Sequence, residues 1–157
     1  TFEGGSYLTY YLCPTDYHRV HSPVDGEIIW SCHVPGEMWP VNEWSVNRIP
    51  HLFTVNERVG FILDTPHGKV AMVMIAATNV GNITVTFDDQ VNTRHRTSGR
   101  AVRERAYVPG KSVKKGQELG VFNMGSTVIA IFQKTWELGA VGEFCGAKTK
   151  VGETLKR

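Results

Sequence analysis

Runs rich in Val, Ile, Thr and aromatic residues recur along this chain, each closed by Gly, Pro, Asn or Asp, and most read as strands. The pattern predicts strands at Ser6–Leu12, Gly26–Val34 and Arg58–Asp64, and over residues 69–78, 83–87, 101–108, 119–123 and 127–133. No long stretch has a helical period. The main helical candidate is a single turn over residues 17–21, which would set His18 and His21 at i and i+3 on one side. The expected fold class is therefore mostly β, with a short helical turn at the histidines.

Two stretches give that expectation a shape. Ser22-Pro23-Val24-Asp25-Gly26-Glu27-Ile28 and Val113-Lys114-Lys115-Gly116-Gln117-Glu118-Leu119-Gly120 resemble the two turn signatures of biotinyl and lipoyl carrier barrels, in which glycines allow tight turns between short strands. The resemblance implies a barrel-sandwich-like core. It also raises a non-enzymatic carrier as an alternative function, but such carriers need a lysine at a hairpin tip, and neither Met-Lys-Met nor Asp-Lys-Ala occurs.

Composition narrows the class further. With 157 residues the chain suits one domain with a real core, and 41% hydrophobic against 20% charged residues exclude a disordered segment. A net charge of +2 is too small to argue for nucleic acid. Charge is polarised between Arg94 and Arg105, where Arg94, Arg96, Arg100, Arg103 and Arg105 face only Glu104 in sequence; a solvated loop and a patch for anionic lipid headgroups both fit. Cys13, Cys32 and Cys145 form no disulfide framework, so a reducing compartment is the simpler expectation. No apolar run reaches the roughly 18 residues of a membrane span, and no signal peptide opens the chain, so any membrane contact is expected to be peripheral.

The candidate chemistry lies in Phe122-Asn123-Met124-Gly125-Ser126-Thr127-Val128-Ile129-Ala130-Ile131-Phe132. Gly-Ser-Thr before a β-branched run is ordinarily a turn entering a strand. It is also a bond at which a serine hydroxyl can attack the preceding carbonyl, turning the amide into an ester. Elimination then leaves dehydroalanine, and hydrolysis yields a pyruvoyl carbonyl with loss of ammonia. Asp16-Tyr17-His18-Arg19-Val20-His21-Ser22-Pro23 supplies two imidazoles, whose reference pKa of about 6.5 suits proton transfer near neutrality. A plain pair bonded to backbone or solvent remains the alternative. Metal ligation finds no support, since neither Cys-x-x-Cys nor His-Glu-x-x-His is present.

The run Gly4-Gly5-Ser6-Tyr7-Leu8-Thr9-Tyr10-Tyr11-Leu12-Cys13-Pro14-Thr15-Asp16-Tyr17-His18-Arg19-Val20-His21-Ser22-Pro23 resembles the central motif of the phosphatidylserine decarboxylases. Further matches follow in that family's order: Val34-Pro35-Gly36, Pro40-Val41-Asn42, Asn56-Glu57-Arg58, the apolar run to Gly81, Lys115-Gly116-Gln117-Glu118-Leu119-Gly120 and Met124-Gly125-Ser126-Thr127. The resemblance implies self-cleavage between Gly125 and Ser126, with Ser126 becoming a pyruvoyl cofactor that forms a Schiff base with phosphatidylserine and releases phosphatidylethanolamine. It makes His21 the base of a serine-protease-like triad and gives His18 a part in substrate handling and decarboxylation.

By the same resemblance, residues 1–134 form the catalytic core, with 1–125 in the β chain and 126–157 in the α chain. Residues 135–157 match no motif. The triad's aspartate belongs to an upstream Pro-Ala-Asp-Gly-like segment, and neither Asp25 nor Asp16 is expected to replace it, so the chain is read as the core of a longer protein. The implied partners are an anionic membrane surface, the two chains of the same precursor and a second copy of the molecule. The implied location is the cytoplasmic face of a bacterial inner membrane, or the mitochondrial inner membrane in a eukaryote. Alternative substrates are another amino acid or another serine lipid.

Overall fold

The computed structural model describes residues 1–78, 82–93, 101–123, 126–136, 138 and 145–154, with residue 126 described by its backbone. Its strands are β1 (Ser6–Leu12), β2 (Arg19–His21), β3 (Gly26–Val34), β4 (Arg58–Asp64), β5 (Val70–Ile75), β6 (Ile83–Val85), β7 (Arg103–Val113), β8 (Glu118–Phe122) and β9 (Ser126–Phe132). Two short helices, α1 (Glu43–Arg48) and α2 (Leu52–Val55), fall between β3 and β4. The expectation of a mostly β fold holds. The strands form a six-stranded sheet in the order β1-β9-β5-β4-β3-β7 and a three-stranded sheet in the order β2-β8-β6. Neither closes into a barrel, and every pairing within them is antiparallel.

Register aligns the core in rows across the large sheet. Tyr10, Val128, Met74 and Val59 lie opposite one another on successive strands, as do Leu8, Ala130, Met72 and Phe61. Val59, Phe61, Leu63, Val70 and Met74 are completely buried, as are Ile83 and Leu119 of the small sheet. Each such side chain contributes about 1.5–3 kcal/mol by leaving water. The small sheet approaches closely: a Cβ on Gly120 would lie 2.8 Å from Met74 Sδ and from the Thr84 carbonyl, so only glycine fits there.

The helical turn expected at the histidines is corrected. Arg19–His21 is strand β2, antiparallel to β8. Val20 is buried opposite Gly120, while Arg19 reaches across to Glu118 at 2.8 Å, a period of two and not of three or four. His18 and His21 consequently do not share the side of a turn. The helices that do form are shorter than a sequence window resolves. Asn42 caps α1 by accepting the Ser45 N–H at 2.9 Å, with Glu43 in its first turn and Arg48 in its last.

Two of the quoted motifs hold this region in place. In Asn56-Glu57-Arg58, the fully buried Asn56 side chain bonds Trp39 N, Trp39 O and Ala76 O, and Glu57 bonds His33 Nε2 at 2.8 Å. Gly36 passes so close to this segment that a Cβ would lie 2.4 Å from the Val55 carbonyl. Together they pin the 36–58 excursion, with α1 and α2, onto one end of the large sheet.

Candidate active site

β8 lies between β2 and β6, and at its Phe122 end the chains beside it continue the bonding. Phe122 N–H donates to the His18 carbonyl at 3.0 Å, and Asn123 N–H donates to the Asn82 carbonyl at 3.2 Å. His18 and Asn82 therefore bracket the chain just before the expected cleavage bond. β9 takes the chain up again at Ser126, opposite Leu12. Gly125 lies outside the described residues.

Buried polar atoms without partners gather around this junction. They are His18 Nε2, both Nδ2 and Oδ1 of Asn82, and Oγ1 of Thr127. Thr127 is fully buried and Asn82 is 5% exposed. Leaving such a group unpaired costs about 1–3 kcal/mol, so each of these three residues calls for a partner other than the described protein atoms. Among the described residues, the other atoms in this condition are His33 Nδ1 on β3 and Ser45 Oγ on α1.

His21 is placed differently. It pairs with Glu118, at the end of β8 away from Phe122, about 13 Å along the strand. Its Nδ1 lies 2.8 Å from the Gly116 carbonyl, which can only accept, so Nδ1 carries the hydrogen. In the neutral ring Nε2 is then the acceptor, and the Tyr17 hydroxyl donates to it at 2.9 Å, with the two rings stacked 5.7 Å apart. The structure thus brings His18 to the junction and leaves His21 in a fixed tautomer further along β8. The nearby aspartates serve turns: Asp16 Oδ2 accepts from Cys13 N at 2.8 Å, and Asp25 Oδ1 from Lys115 N at 2.7 Å.

A groove of about 570 Å³ adjoins the junction at Thr127 and runs between β1 and α1. Thr9, Tyr11, Val41, Val46 and Phe53 make most of its wall, and Asn42 and Glu43 add polar edges. Exposed Trp44 and Val46 continue its apolar character outward on α1. Among the described residues, no group of three or more His, Cys, Asp or Glu is placed to hold a metal. Cys13, Cys32 and Cys145 are free, and burial raises the Cys32 thiol pKa.

Comparison with known proteins bears directly on this arrangement. The family profile described as phosphatidylserine decarboxylase matches residues 1–157. The chain is 42% identical over 154 residues to the phosphatidylserine decarboxylase proenzyme of Anaeromyxobacter sp. (strain K), covering 98% of this chain and 54% of that protein. It is 45% identical over 139 residues to the proenzyme of Myxococcus xanthus (87% and 48% covered), and 40% identical over 157 residues to that of Vibrio cholerae O395 (97% and 54% covered). The chain belongs to the phosphatidylserine decarboxylase family. It spans about half the length of these curated relatives.

The unpartnered atoms of His18, Asn82 and Thr127 belong to residues beside the segment in which the sequence places Gly125 and Ser126. Asn82 escapes sequence reasoning: it reads as a turn residue ahead of a β-branched run, and no quoted motif contains it. Thr127 stands inside the Met124-Gly125-Ser126-Thr127 match but reads there as a strand residue, and its buried, unpartnered hydroxyl is seen only in the structure.

Proposed function

We propose that this chain is the catalytic core of an enzyme that decarboxylates phosphatidylserine to phosphatidylethanolamine through a pyruvoyl group made from Ser126. The observation that carries the reading is the buried, unpartnered Nε2 of His18 beside the end of β8, shortly before the proposed cleavage bond in sequence. The Ser126 hydroxyl oxygen bonds to the Gly125 carbonyl carbon, the C–N bond breaks, and the serine nitrogen leaves as an amine carrying a proton. Loss of the Ser126 α proton and of Gly125 as a carboxylate gives dehydroalanine, and water replaces its nitrogen. The carbonyl so produced supplies an electron sink for the pair released with carbon dioxide.

The resemblance assigns His21 as base for the first step, a role in which Nε2 has to exchange the Tyr17 hydroxyl for that of Ser126. His18, unpartnered at the junction, then handles protons during turnover. A second reading exchanges these roles, and the bond from Phe122 N–H to the His18 carbonyl favours it. The groove along α1 suits the glycerol and acyl portion of a lipid, with Tyr11, Val46 and Phe53 as apolar wall. We place the enzyme at the surface of an anionic membrane, on the cytoplasmic face of a bacterial inner membrane or on the mitochondrial inner membrane in a eukaryote. Among the described residues, no helix is long and apolar enough to cross one. Cleaved β and α chains, and a second copy of the molecule, are the proposed protein partners.

Intact-mass measurement tests the reading on protein expressed within its natural reading frame. Native protein should appear as two chains, and borohydride with phosphatidylserine should add the lipid's mass to the one that begins at residue 126. Ser126→Ala should remain a single chain. Normal cleavage of that variant, or turnover by an uncut native chain, would overturn the assignment.

A further inference from the structure

Asn82 has no role in the reading above, yet it is the most heavily unpartnered side chain at the junction. It is 5% exposed, and neither its amide nitrogen nor its amide oxygen has a hydrogen-bond partner. Its backbone, by contrast, is held firmly. Its carbonyl accepts from Asn123 N, and the next residue is locked by Thr93, with Ile83 N–H donating to Thr93 Oγ1 at 2.7 Å and Thr93 N–H returning to the Ile83 carbonyl at 3.0 Å. A rigid backbone therefore carries an unspent amide one strand away from the residue that lies two positions before Gly125.

We propose that Asn82 is a further donor of the self-processing site, its side-chain N–H stabilising the oxyanion formed on the Gly125 carbonyl oxygen when Ser126 attacks. This rests on the self-cleavage reading and extends it. As the Ser126 oxygen bonds to the carbonyl carbon, the carbonyl π electrons move onto oxygen; they return as the C–N bond breaks and the amine takes the proton. A donor set in place before that charge appears lowers the barrier without reorganising. An amide suits the task because it stays neutral at every working pH, so its donor is present whichever protonation state the histidines hold.

The role predicts an unusual separation of stability from rate. An amide that makes no hydrogen bond in the folded protein contributes nothing through one, so its removal should leave the melting temperature unchanged or raised. Cleavage should nevertheless slow by about 10²–10³-fold, the loss seen when one oxyanion donor is removed.

The test uses native, Asn82→Ala and Asn82→Asp proteins expressed within the natural reading frame. Cleavage is followed by intact mass, melting temperature by scanning fluorimetry, and the ester by release with hydroxylamine. The proposal expects native-like melting with slow cleavage and little hydroxylamine-releasable ester. Asn82→Asp, of nearly the same shape, should cleave more slowly as pH rises, because its carboxylate opposes the oxyanion. Cleavage of Asn82→Ala within threefold of native would overturn the proposal alone, as would ester accumulating in that variant, or slow cleavage in both variants accompanied by lowered melting temperatures. Uncut native protein would overturn the underlying self-cleavage reading along with it.

Discussion

His21 has both ring nitrogens engaged, by the Gly116 carbonyl and the Tyr17 hydroxyl, whereas His18 keeps Nε2 buried and unpartnered. Two histidines three residues apart are thus in opposite states, and single substitutions separate their work. If His21 is the base, His21→Ala should slow self-cleavage by about 10²–10⁴-fold, while His18→Ala should cleave and then turn over poorly. Chain mass and carbon dioxide release, read on the same preparations, assign the roles. Exchanged phenotypes would establish the second reading, and normal cleavage with normal turnover in both would remove the histidines from the chemistry.

At the scale of elements, the hairpin that carries Asn82 is tied to the large sheet through Asp88. Its Oδ2 accepts from Tyr107 Oη and from Arg105 Nη1, both at 2.9 Å, while Oδ1 accepts from Gln90 N at 3.0 Å. Tyr107 also bonds Ser31 Oγ at 2.8 Å, which brings β3 into the network, and Lys111 Nζ donates to the Phe87 carbonyl. Burial opposes the charge on Asp88, but the Gln90 N–H, the Tyr107 hydroxyl and the Arg105 and Lys111 cations outweigh it and lower the carboxyl pKa. A lowered folded-state pKa means stability that is present above the unfolded aspartate value of about 3.9 and lost as pH falls through the folded value. Asp88→Asn should therefore cost about 2 kcal/mol at pH 7 and flatten the acid limb of the stability curve. Urea midpoints taken from pH 7 down to pH 2 check both, and equal destabilisation at the two ends would remove Asp88 as the acid-sensitive tie.

At the scale of the whole molecule, the proposed function requires a lipid to present its headgroup without leaving the bilayer, and on that proposal the groove opens on a surface that meets lipid. Trp39 and Trp44 are exposed, as is Val46 beside the groove, and the Arg48 guanidinium stands 5.0 Å over the Trp44 ring. The arginines Arg94, Arg96 and Arg100 lie outside the described residues; each basic group near an anionic surface contributes at most about 1 kcal/mol, screened by salt. Weak, salt-sensitive binding to phosphatidylserine vesicles is expected. Changing the three arginines together to Ala should lower it, and Trp44→Ala should lower it at every salt concentration, with cleavage unaffected in both. Vesicle sedimentation at low and high salt decides, and unchanged sedimentation of either variant would remove that feature from the membrane-facing surface.

What the sequence determined by itself was whatever a residue settles with its near neighbours. Gly26–Val34 and Arg58–Asp64 coincide with β3 and β4, because β-branched and aromatic runs bounded by Gly or Asp favour extended chain without help from afar. The motif order around Gly125, Ser126, His18 and His21 likewise pointed to the family that the comparisons show. Tertiary structure decided the rest. β7 continues to Val113 through Pro109 and Gly110, residues that read as a stop, because at the sheet edge only one side of the strand must pair. β2 is three residues long and exists through its pairing with β8, nearly a hundred residues away, so no local period could announce it. Asn82 is an ordinary turn residue until the small sheet buries it, since an unpaired amide is a property of its surroundings and not of the residue.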